Sequence, residues 1–250
     1  MKPLDVRLRE SAKQNRILLD VIEKDYAQSY VLAGLMSQPS LKDTLVFKGG
    51  TALKKIFFGS YRFSEDLDFS TIRPPSREEL EEIISQATEE TRRLLKTYGR
   101  FTVEVKRLRE TRPHPKGQDA FNIQVRFPWY GERVCSIKVE ITRDEPVLLE
   151  PLVRPLLHDY EEDLDVVIRC YRLEEIVAEK MRSLLQSRDR LAEGRWSRPR
   201  SRDYYDLWRL VTDFGTELDT KELTPLLKKK CDHRGVSFEQ LADFFSDELI

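Results

Sequence analysis

Hydrophobic and polar positions change their spacing several times in the first part of the chain. Apolar residues between positions 5 and 36 recur at mixed intervals of three and four, which predicts helix. A short apolar run at 44–47 precedes a glycine pair, and a second helix-like segment covers residues 51–57. The pattern therefore predicts a buried strand, a tight turn and a helix in direct succession.

Strand-like spacing dominates the middle of the chain. Residues 66–70 alternate between polar and apolar, which is typical of a half-buried strand. Ser76 and Glu79 have the spacing of a capping box, so we predict a helix over 77–98. Three further strands are predicted over residues 101–108, 121–127 and 134–142.

The pattern changes after Pro146. Residues 151–170 show no clear period and are predicted to be irregular, whereas 172–187 and 203–214 have helical spacing. The tail that follows is helical in tendency. We predict an α/β (α+β) domain over residues 1–150 and a mainly helical domain over 151–250 that contributes to the same cleft.

Composition narrows the class of protein. Of the 250 residues, 40% are hydrophobic and 35% are charged, which is typical of a soluble globular protein. No apolar run approaches the ~20 residues that span a bilayer, and the N-terminus has no apolar signal segment. We therefore expect a cytoplasmic protein without a membrane partner.

Cysteine and charge placement add two expectations. The three cysteines are far apart and form no CxxC pair, so neither a disulfide framework nor a zinc site is expected. The net charge is −1, yet eight basic residues oppose two acidic ones between Lys180 and Arg202, a local charge of +6. This stretch either contacts phosphates or is a solvated loop, and charge alone does not decide between the two.

Gly49, Gly50 and Thr51 stand between the first predicted strand and the second helix. Glycine permits a tight turn and close approach of a ligand, and the helix N-terminus favours an anion. The segment matches neither GxxxxGK[ST] nor GxGxxG. A glycine pair at this place is consistent with phosphate binding, but a glycine pair before a helix is usually only a turn.

Asp66 and Asp68 are the most specific chemical feature of the sequence. On a strand, residues i and i+2 lie on the same face, so the two carboxylates project together. Their repulsion favours a bound cation, and magnesium is the fitting ion. The alternative is a solvated strand face. Asp163 and Asp165 have the same spacing without an upstream glycine turn, and we interpret them as such a face.

A third carboxylate is expected on the last predicted strand. Glu140 is the only acidic residue of 134–142 and lies on the polar face with Lys138. A two-metal phosphoryl-transfer site commonly takes a third acid from a neighbouring strand. The alternative is an edge strand with a solvent-facing Lys138–Glu140 pair.

Two charged residues fall on apolar faces of the C-terminal helices. Lys180 lies within a stripe that includes Leu173, Val177 and Leu184, and Asp203 lies in line with the stripe of Leu207, Leu210, Val211 and Phe214. We hypothesise that Lys180 binds substrate phosphate and that Asp203 holds Lys180 or contributes to the site. Alternatively, Lys180 reaches solvent and Asp203 caps its helix.

Several of these segments together resemble the AbiEii/AbiGii toxin family of nucleotidyltransferase-like proteins, which are related to the MenT toxins. The similarity rests on Phe47–Thr51 and Arg62–Asp68, and more weakly on Ala178–Lys180 and Arg202–Leu207. It extends from about residue 20 to residue 215. The resemblance implies a DNA-polymerase-β-like nucleotidyltransferase core with a helical C-terminal part, a magnesium cofactor, an NTP substrate and a cognate antitoxin.

The resemblance also implies roles for individual residues. The nucleotide phosphates would be held by Gly49, Gly50 and Thr51, and the nucleotide pocket would be lined by Arg62 and Ser64. Magnesium would be bound by Asp66 and Asp68, with Glu140 as the third acid. The site would be completed by Lys180 and Asp203. Many family members have aspartate where this chain has Glu140, which is one methylene longer.

Our first hypothesis is a toxin that transfers NMP from an NTP to an RNA, with the tRNA 3′ end as the expected acceptor. The Arg-rich segment 188–202, which contains Trp196, would contact that RNA. Two alternatives stay open. One is the same chemistry on a protein acceptor (AMPylation or UMPylation), and the other is an NTP-binding regulatory protein that catalyses little.

Overall fold

The computed structural model describes residues 2–108, 117–216 and 218–245. Its helices are α1 (Leu4–Asn15), α2 (Leu19–Met36), α3 (Pro39–Thr44), α4 (Gly49–Ala52), α5 (Arg77–Leu95), α6 (Leu173–Ala192), α7 (Ser201–Phe214) and α8 (Thr220–Arg234). A π-helical turn, Leu53–Phe57, continues α4, and 3-10 turns cover Lys96–Tyr98 and Leu241–Phe245. None of the described helices is both long and apolar enough to cross a membrane.

The described strands form one mixed sheet. They are β1 (Leu45–Lys48), β2 (Asp66–Thr71), β3 (Thr102–Leu108), β4 (Gln118–Arg126), β5 (Cys135–Thr142), β6 (Leu152–Pro155) and β7 (Val167–Cys170). Their order is β3-β4-β5-β2-β1-β7-β6. The pairs β2–β5 and β1–β7 are parallel, and the other neighbours are antiparallel. The predicted α/β class is therefore confirmed.

The long N-terminal helix predicted over residues 5–36 is divided into two helices. α1 ends at Asn15 because Arg16 adopts a left-handed conformation with φ of 55°, and its N–H turns back to bond the carbonyls of α1. Left-handed residues end helices in this way most often when they are glycine. The presence of arginine there explains why the sequence pattern does not reveal the break.

Residues 151–170 contain two strands, so the prediction of irregular structure was wrong for this segment. β7 pairs in parallel with β1 and β6 pairs with β7 at the sheet edge. Each strand has only four residues, which is too short to establish a period of two in the sequence. Pairing with a pre-formed neighbour, rather than local pattern, creates these strands.

The capping box at the start of α5 is confirmed. The Ser76 side chain accepts from the Glu79 N–H, and the Glu79 side chain accepts from the Ser76 N–H. These bonds satisfy two of the backbone N–H groups that every helix start leaves open. The helix keeps α geometry to Leu95 and tightens to 3-10 geometry over Lys96–Tyr98.

The chain divides into two compact units. The first comprises Met1–Val147 and Pro151–Cys170, and the second comprises Leu148–Glu150 and Tyr171–Ile250. The first unit contains the sheet and α1 to α5, and its buried cluster spans both. The second is helical, with a smaller cluster formed by Ala178, Leu185, Leu226, Leu227, Cys231 and Val236.

Candidate active site

A glycine turn joins β1 to α4. Lys48 ends the strand in extended conformation, and Gly49 follows with φ of 79°, a conformation that L side chains rarely adopt. The predicted order of strand, glycine turn and helix is confirmed. The helical segment is unusual, because α4 has only four residues before it widens into the π-helical turn Leu53–Phe57.

The two glycines allow polar side chains to approach the turn. A Cβ atom at Gly49 would lie 2.6 Å from Oδ2 of Asp68. At Gly50 it would lie 2.8 Å from Nη2 of Arg62 and 3.2 Å from Oγ of Ser64. The structure therefore brings five of the predicted site residues into one place, Arg62, Ser64, Asp68 and the glycine pair, although they are up to nineteen positions apart in the sequence.

Thr51 joins the turn to the aspartate strand. Its hydroxyl donates to the carbonyl of Asp66 at 2.5 Å, and the residue is buried. This bond fixes the start of α4 against the start of β2. The Thr51 hydroxyl is thus engaged with the backbone carbonyl of Asp66. The groups of the turn that could donate to an anion are therefore its backbone N–H groups.

Asp66 and Asp68 lie on the same face of β2, as predicted. They are half-buried and alternate with the buried residues Leu67 and Phe69. A second Asp-x-Asp segment of the chain allows a comparison with the alternative of a solvated face. Asp163 and Asp165 are exposed and belong to no strand, which confirms that the same spacing there is a solvated surface.

Glu140 lies beside the aspartate pair on the neighbouring strand. In the parallel pairing of β2 with β5, Asp68 is opposite Glu140 and Asp66 is opposite Lys138. The Glu140 carboxylate accepts from Lys138 Nζ at 2.7 Å and from Gln118 Nε2 at 2.5 Å. The strand is not at an edge, because β4 flanks it on the other side, so the alternative is wrong about the strand's position. The Lys138–Glu140 pair that it named is present, and the Lys138 side chain is 42% exposed.

The electrostatics of this group favour an added cation. Burial raises the pKa of Asp66, and the charge of Glu140 raises it further, while Lys138 opposes the shift. Burial lowers the pKa of Lys138, but its bond to Glu140 and the charges of Asp66 and Asp68 outweigh burial and raise it. Negative charge thus accumulates here beyond what one lysine compensates.

A magnesium ion fits the aspartate pair. Oxygen donors on one strand face are the ligands that magnesium prefers, and it commonly takes only one or two carboxylates together with substrate phosphates. Among the described residues, no group of three His, Cys, Asp or Glu side chains has the arrangement to hold a metal. Asp66 and Asp68 offer two carboxylates on one strand face, and Glu140 bonds Lys138 and Gln118 through Oε1.

Lys180 and Asp203 lie in the second unit, where the structure brings them together. Lys180 Nζ bonds Asp203 Oδ1 at 3.1 Å and Asp206 Oδ2 at 2.6 Å. The predicted contact with Asp203 is confirmed. Asp206 is fully buried, and sequence reasoning placed it only beside the apolar stripe. The sequence signal for Asp206 was its position three residues after Asp203, which brings the two side chains close together on a helix.

The predicted apolar stripe of α7 was partly wrong. Leu210 is buried, but Val211 is 61% exposed and the fully buried position one turn before Leu210 is Asp206. The helix thus buries a carboxylate that is paired with Lys180, and it presents apolar side chains to solvent.

Other sequence-based expectations concern reactive groups and supporting residues. The three cysteines are free, as expected.

Sequence reasoning missed Gln28, which is buried on α2 and donates to the carbonyls of Ser64 and Glu65 at 3.0 Å. It fixes the segment that carries Arg62 and Ser64. A polar residue among the apolar positions of the predicted helix was the signal for it.

The comparisons with known proteins agree with this geometry. The family model described as nucleotidyl transferase AbiEii toxin of type IV toxin–antitoxin systems matches residues 30–250. Among solved structures, the chain is similar to MenT4, a nucleotidyltransferase toxin from Mycobacterium tuberculosis H37Rv. The identity is 22% and the TM-score 0.56, over 90% of this chain and 71% of that chain. This likeness supports a shared fold. A search of curated proteins gives no match.

Proposed function

The chain belongs to the AbiEii family of nucleotidyltransferase toxins of type IV toxin–antitoxin systems, and we propose that it transfers NMP from an NTP to RNA, with tRNA as acceptor. The reaction depends on magnesium held by Asp66 and Asp68. Membership of a toxin family implies a cognate antitoxin and an NTP substrate. Because NTPs and tRNA are cytoplasmic, the proposed reaction also places the protein in the cytoplasm.

One observation carries this proposal: the glycine turn lies directly against the metal-binding carboxylates. At Gly49 there is room for backbone only, since a Cβ would lie 2.6 Å from Asp68 Oδ2. An anion bound by the turn N–H groups is therefore next to the carboxylate that binds its counter-cation. A site for a magnesium–phosphate complex requires this combination, and a simple structural turn does not.

The residues of the chain then have distinct tasks. The turn N–H groups of Gly50 and Thr51 orient the phosphates, and the Arg62 guanidinium beside Gly50 neutralises them. Magnesium, when bound at the aspartate pair, supplies charge neutralisation and polarises the reacting phosphate. The protein positions the acceptor hydroxyl for attack on the α-phosphorus with loss of pyrophosphate.

Glu140 is the proposed third acid. Its bonds to Lys138 and Gln118 are both made by Oε1, so direct metal ligation through Oε2 would leave both partners in place. A Glu140→Gln variant keeps the hydrogen-bonding shape and removes the charge. We propose that this variant loses most activity while keeping its fold.

The test is label transfer with a matched control. Purified protein is incubated with magnesium, each α-labelled NTP in turn and total tRNA, beside Asp66→Ala/Asp68→Ala. The control is Asp163→Ala/Asp165→Ala, which removes the same two carboxylates from an exposed segment. We expect label on tRNA with the wild type and this control, and at least a ~1000-fold loss with the site variant.

Other outcomes assign other functions. Label on a protein instead of tRNA supports the AMPylation or UMPylation alternative. Tight NTP binding without magnesium, with no label on either class of acceptor, supports the regulatory alternative. Equal activity of the site variant and its control would show that the aspartate pair does not bind the catalytic metal.

Lys180 and Asp203 have two separable roles to test. We propose that Lys180 binds substrate phosphate, yet its ammonium already bridges Asp203 and the buried Asp206. If Lys180 has only a structural role, Lys180→Met lowers the free energy of unfolding without raising the KM for NTP. If Lys180 also binds phosphate, the same variant raises the KM for NTP. Kinetics at a temperature well below the melting point of the variant separates these two roles.

A further inference from the structure

The sheet of the first unit has one buried face and one polar face. Side chains of β4 alternate between the two, so that Phe121 and Ile123 are buried whereas Asn122 and Gln124 are partly exposed. The buried face packs against α2 and α5. The polar residues of β3, β4 and β5 on the other face include Thr102, Glu104, Lys106, Asn122, Gln124, Arg126, Ser136 and Lys138.

The strand register places four residues of this polar face in one row that starts at the candidate site. Lys138 of β5 is opposite Asp66 of β2. Asn122 of β4 is opposite Lys138, and Lys106 of β3 is opposite Asn122. Side chains that are directly opposite on neighbouring strands lie on the same face, so the row is one continuous surface. Because neighbouring strands are about 4.8 Å apart, it extends about 14 Å from Asp66.

The outer part of this face has polar groups that the rest of the described chain does not engage. Among the residues that the structure describes, the amides of Asn122 and Gln124 make no side-chain hydrogen bond, and the exposed Lys106 makes no ion pair. The Nε of Arg126 is buried and has no partner there either. Three cations, Lys106, Arg126 and Lys138, thus accompany one acid, Glu104, on this face. Unengaged amides and an excess of cations favour a polar, anionic ligand.

The order of the strands separates the two substrates of the proposed reaction. In that reaction the departing pyrophosphate lies at the glycine turn, which follows β1 on one side of β2. The attacking and leaving oxygens are roughly in line through the reacting phosphorus, so the acceptor hydroxyl approaches from the opposite side. On that side of β2 the sheet continues with β5, β4 and β3. The acceptor is therefore expected over the polar face.

We propose that the acceptor face, formed by Lys138, Asn122, Lys106 and Gln124, binds the unpaired nucleotides next to the 3′-hydroxyl of the RNA acceptor. The inference rests on the proposed function, whose acceptor it locates in the first unit. Amide side chains bond the edges of unpaired bases, and lysines contact the phosphates between them. None of the described residues of β3, β4 and β5 on this face is aromatic, whereas aromatic side chains are enriched in protein–protein interfaces.

The first test combines a protein variant with a shortened RNA. Lys106→Ala/Asn122→Ala is compared with Lys96→Ala/Gln86→Ala, which removes an exposed ammonium and an exposed amide from α5 and the turn that follows it. The probes are 5′-fluorescein-labelled tRNA and the same tRNA without its unpaired 3′-terminal nucleotides. We expect the dissociation constant of the acceptor-face variant for intact tRNA to rise at least ~10-fold. Its dissociation constant for the shortened tRNA is expected to equal that of the wild type.

The control variant, the KM for NTP and the melting temperature are expected to stay at wild-type values, because the changed residues are exposed or partly exposed. An equal loss of affinity for both RNAs would show that the acceptor face contacts the RNA away from its 3′ end. Unchanged affinity for both RNAs would show that the face does not contact the RNA. Either result overturns the inference.

The second test changes only the charge of the acceptor face. Lys106→Gln is compared with Lys96→Gln, and both lysines are exposed. Each phosphate contact to a single strand contributes about −0.7 to the slope of log K against log salt concentration. We therefore expect the slope of tRNA binding to become shallower by about 0.7 in Lys106→Gln and to stay unchanged in Lys96→Gln. The same slope in both variants would exclude a phosphate contact by Lys106 and overturn the inference.

These readouts separate this inference from the proposed function. If the wild type labels tRNA and the acceptor-face variants bind and label it normally, the inference fails and the proposed function stands. If the wild type labels no RNA but the acceptor-face variants alone lose affinity for the intact 3′ end, the proposed transfer fails and the RNA-binding face stands. Label on a protein, with a KM for that protein raised in the acceptor-face variants, would overturn the inference and assign the face to a protein acceptor.

Discussion

Gly49 shows how much of the site depends on a missing side chain. Its φ of 79° costs an L residue about 1 kcal/mol, and its Cβ position is 2.6 Å from Asp68 Oδ2. Gly194 offers a matched comparison, since its φ is 68° and nothing lies within 4 Å of the Cβ position. The two glycines have the same backbone strain and differ in what surrounds them.

Gly49→Ala is therefore expected to lose about 100-fold in kcat/KM for NTP, because the added Cβ displaces Asp68, one of the two carboxylates that we propose to hold the metal. Gly194→Ala is expected to lower the free energy of unfolding by about 1 kcal/mol and leave kcat/KM unchanged. The kcat/KM is measured by steady-state label transfer, and the free energy of unfolding is measured by urea unfolding. Equal activity of the two variants would show that the turn does not form part of the site.

Individual residues differ in how far the sequence reveals them. The shared face of Asp66 and Asp68 follows from strand alternation alone, and the structure confirms it. The pairing of Asp66 with Lys138 does not, because it depends on the register between β2 and β5. Sequence spacing within one element is readable, whereas register between elements distant in the chain is a property of the whole sheet.

At the scale of elements, the π-helical turn after the glycines is anchored by a buried charge. Lys55 lies in this turn, and its Nζ bonds Asp25 Oδ2 at 2.8 Å and Ser29 Oγ at 2.9 Å on α2. Both charged side chains are almost completely buried. The widened turn places Lys55 toward α2, so the helix that begins at the glycine turn is fixed to the core of the first unit.

Replacing Lys55 with methionine is expected to destabilise the protein by about 3–5 kcal/mol, because Asp25 then keeps a buried, uncompensated charge. The double variant Lys55→Met/Asp25→Asn removes both charges and is expected to be more stable than Lys55→Met alone. Urea unfolding of Lys55→Met, Asp25→Asn and the double variant measures the coupling free energy between the two residues. Additive free energies would mean that the pair does not interact.

Elements with a strong local pattern were predictable, and those created by pairing were not. The capping box of α5 and the alternation of β2 and β5 are local, so their predictions are confirmed. The four-residue strands β6 and β7 have no readable period and form because β1 offers a partner. The inner face predicted for α7 was partly wrong, because a buried position beside Leu210 is Asp206, whose partner Lys180 lies on another helix.

At the scale of the whole molecule, each unit has a buried ion pair of its own. In the second unit, Glu175 and Lys230 are fully buried with 2.9 Å between Oε1 and Nζ, and Glu175 also accepts from the N–H groups of Leu148 and Leu149. In the first unit, Glu162 is paired with Arg7 of α1. Buried charges that are fully satisfied hold distant segments of the chain in one arrangement.

Glu162 joins three parts of the first unit. It accepts from Arg7 of α1 and from Tyr26 of α2, the latter at 2.5 Å, and it follows the strand β6 in the chain. Burial opposes its ionisation, but His158, whose Nε2 lies 3.8 Å away, and the hydrogen bonds from Tyr26 and Arg7 outweigh burial and hold the pKa of Glu162 well below its ordinary value. The ionised carboxylate is therefore the form that the fold requires.

The sign of the pH dependence follows from that shift. A carboxylate whose pKa is lower in the folded state contributes stability above its unfolded pKa of about 4.3, and this contribution is lost as pH falls. Glu162→Gln is expected to cost about 3 kcal/mol at pH 7, since Arg7 keeps a buried charge, and to flatten the loss of stability between about pH 5 and pH 3. The neighbouring, exposed Glu161→Gln serves as the control and should retain the steep acid profile. Urea unfolding at several pH values measures both, and a Glu162→Gln profile as steep as the control would show that other carboxylates govern acid unfolding.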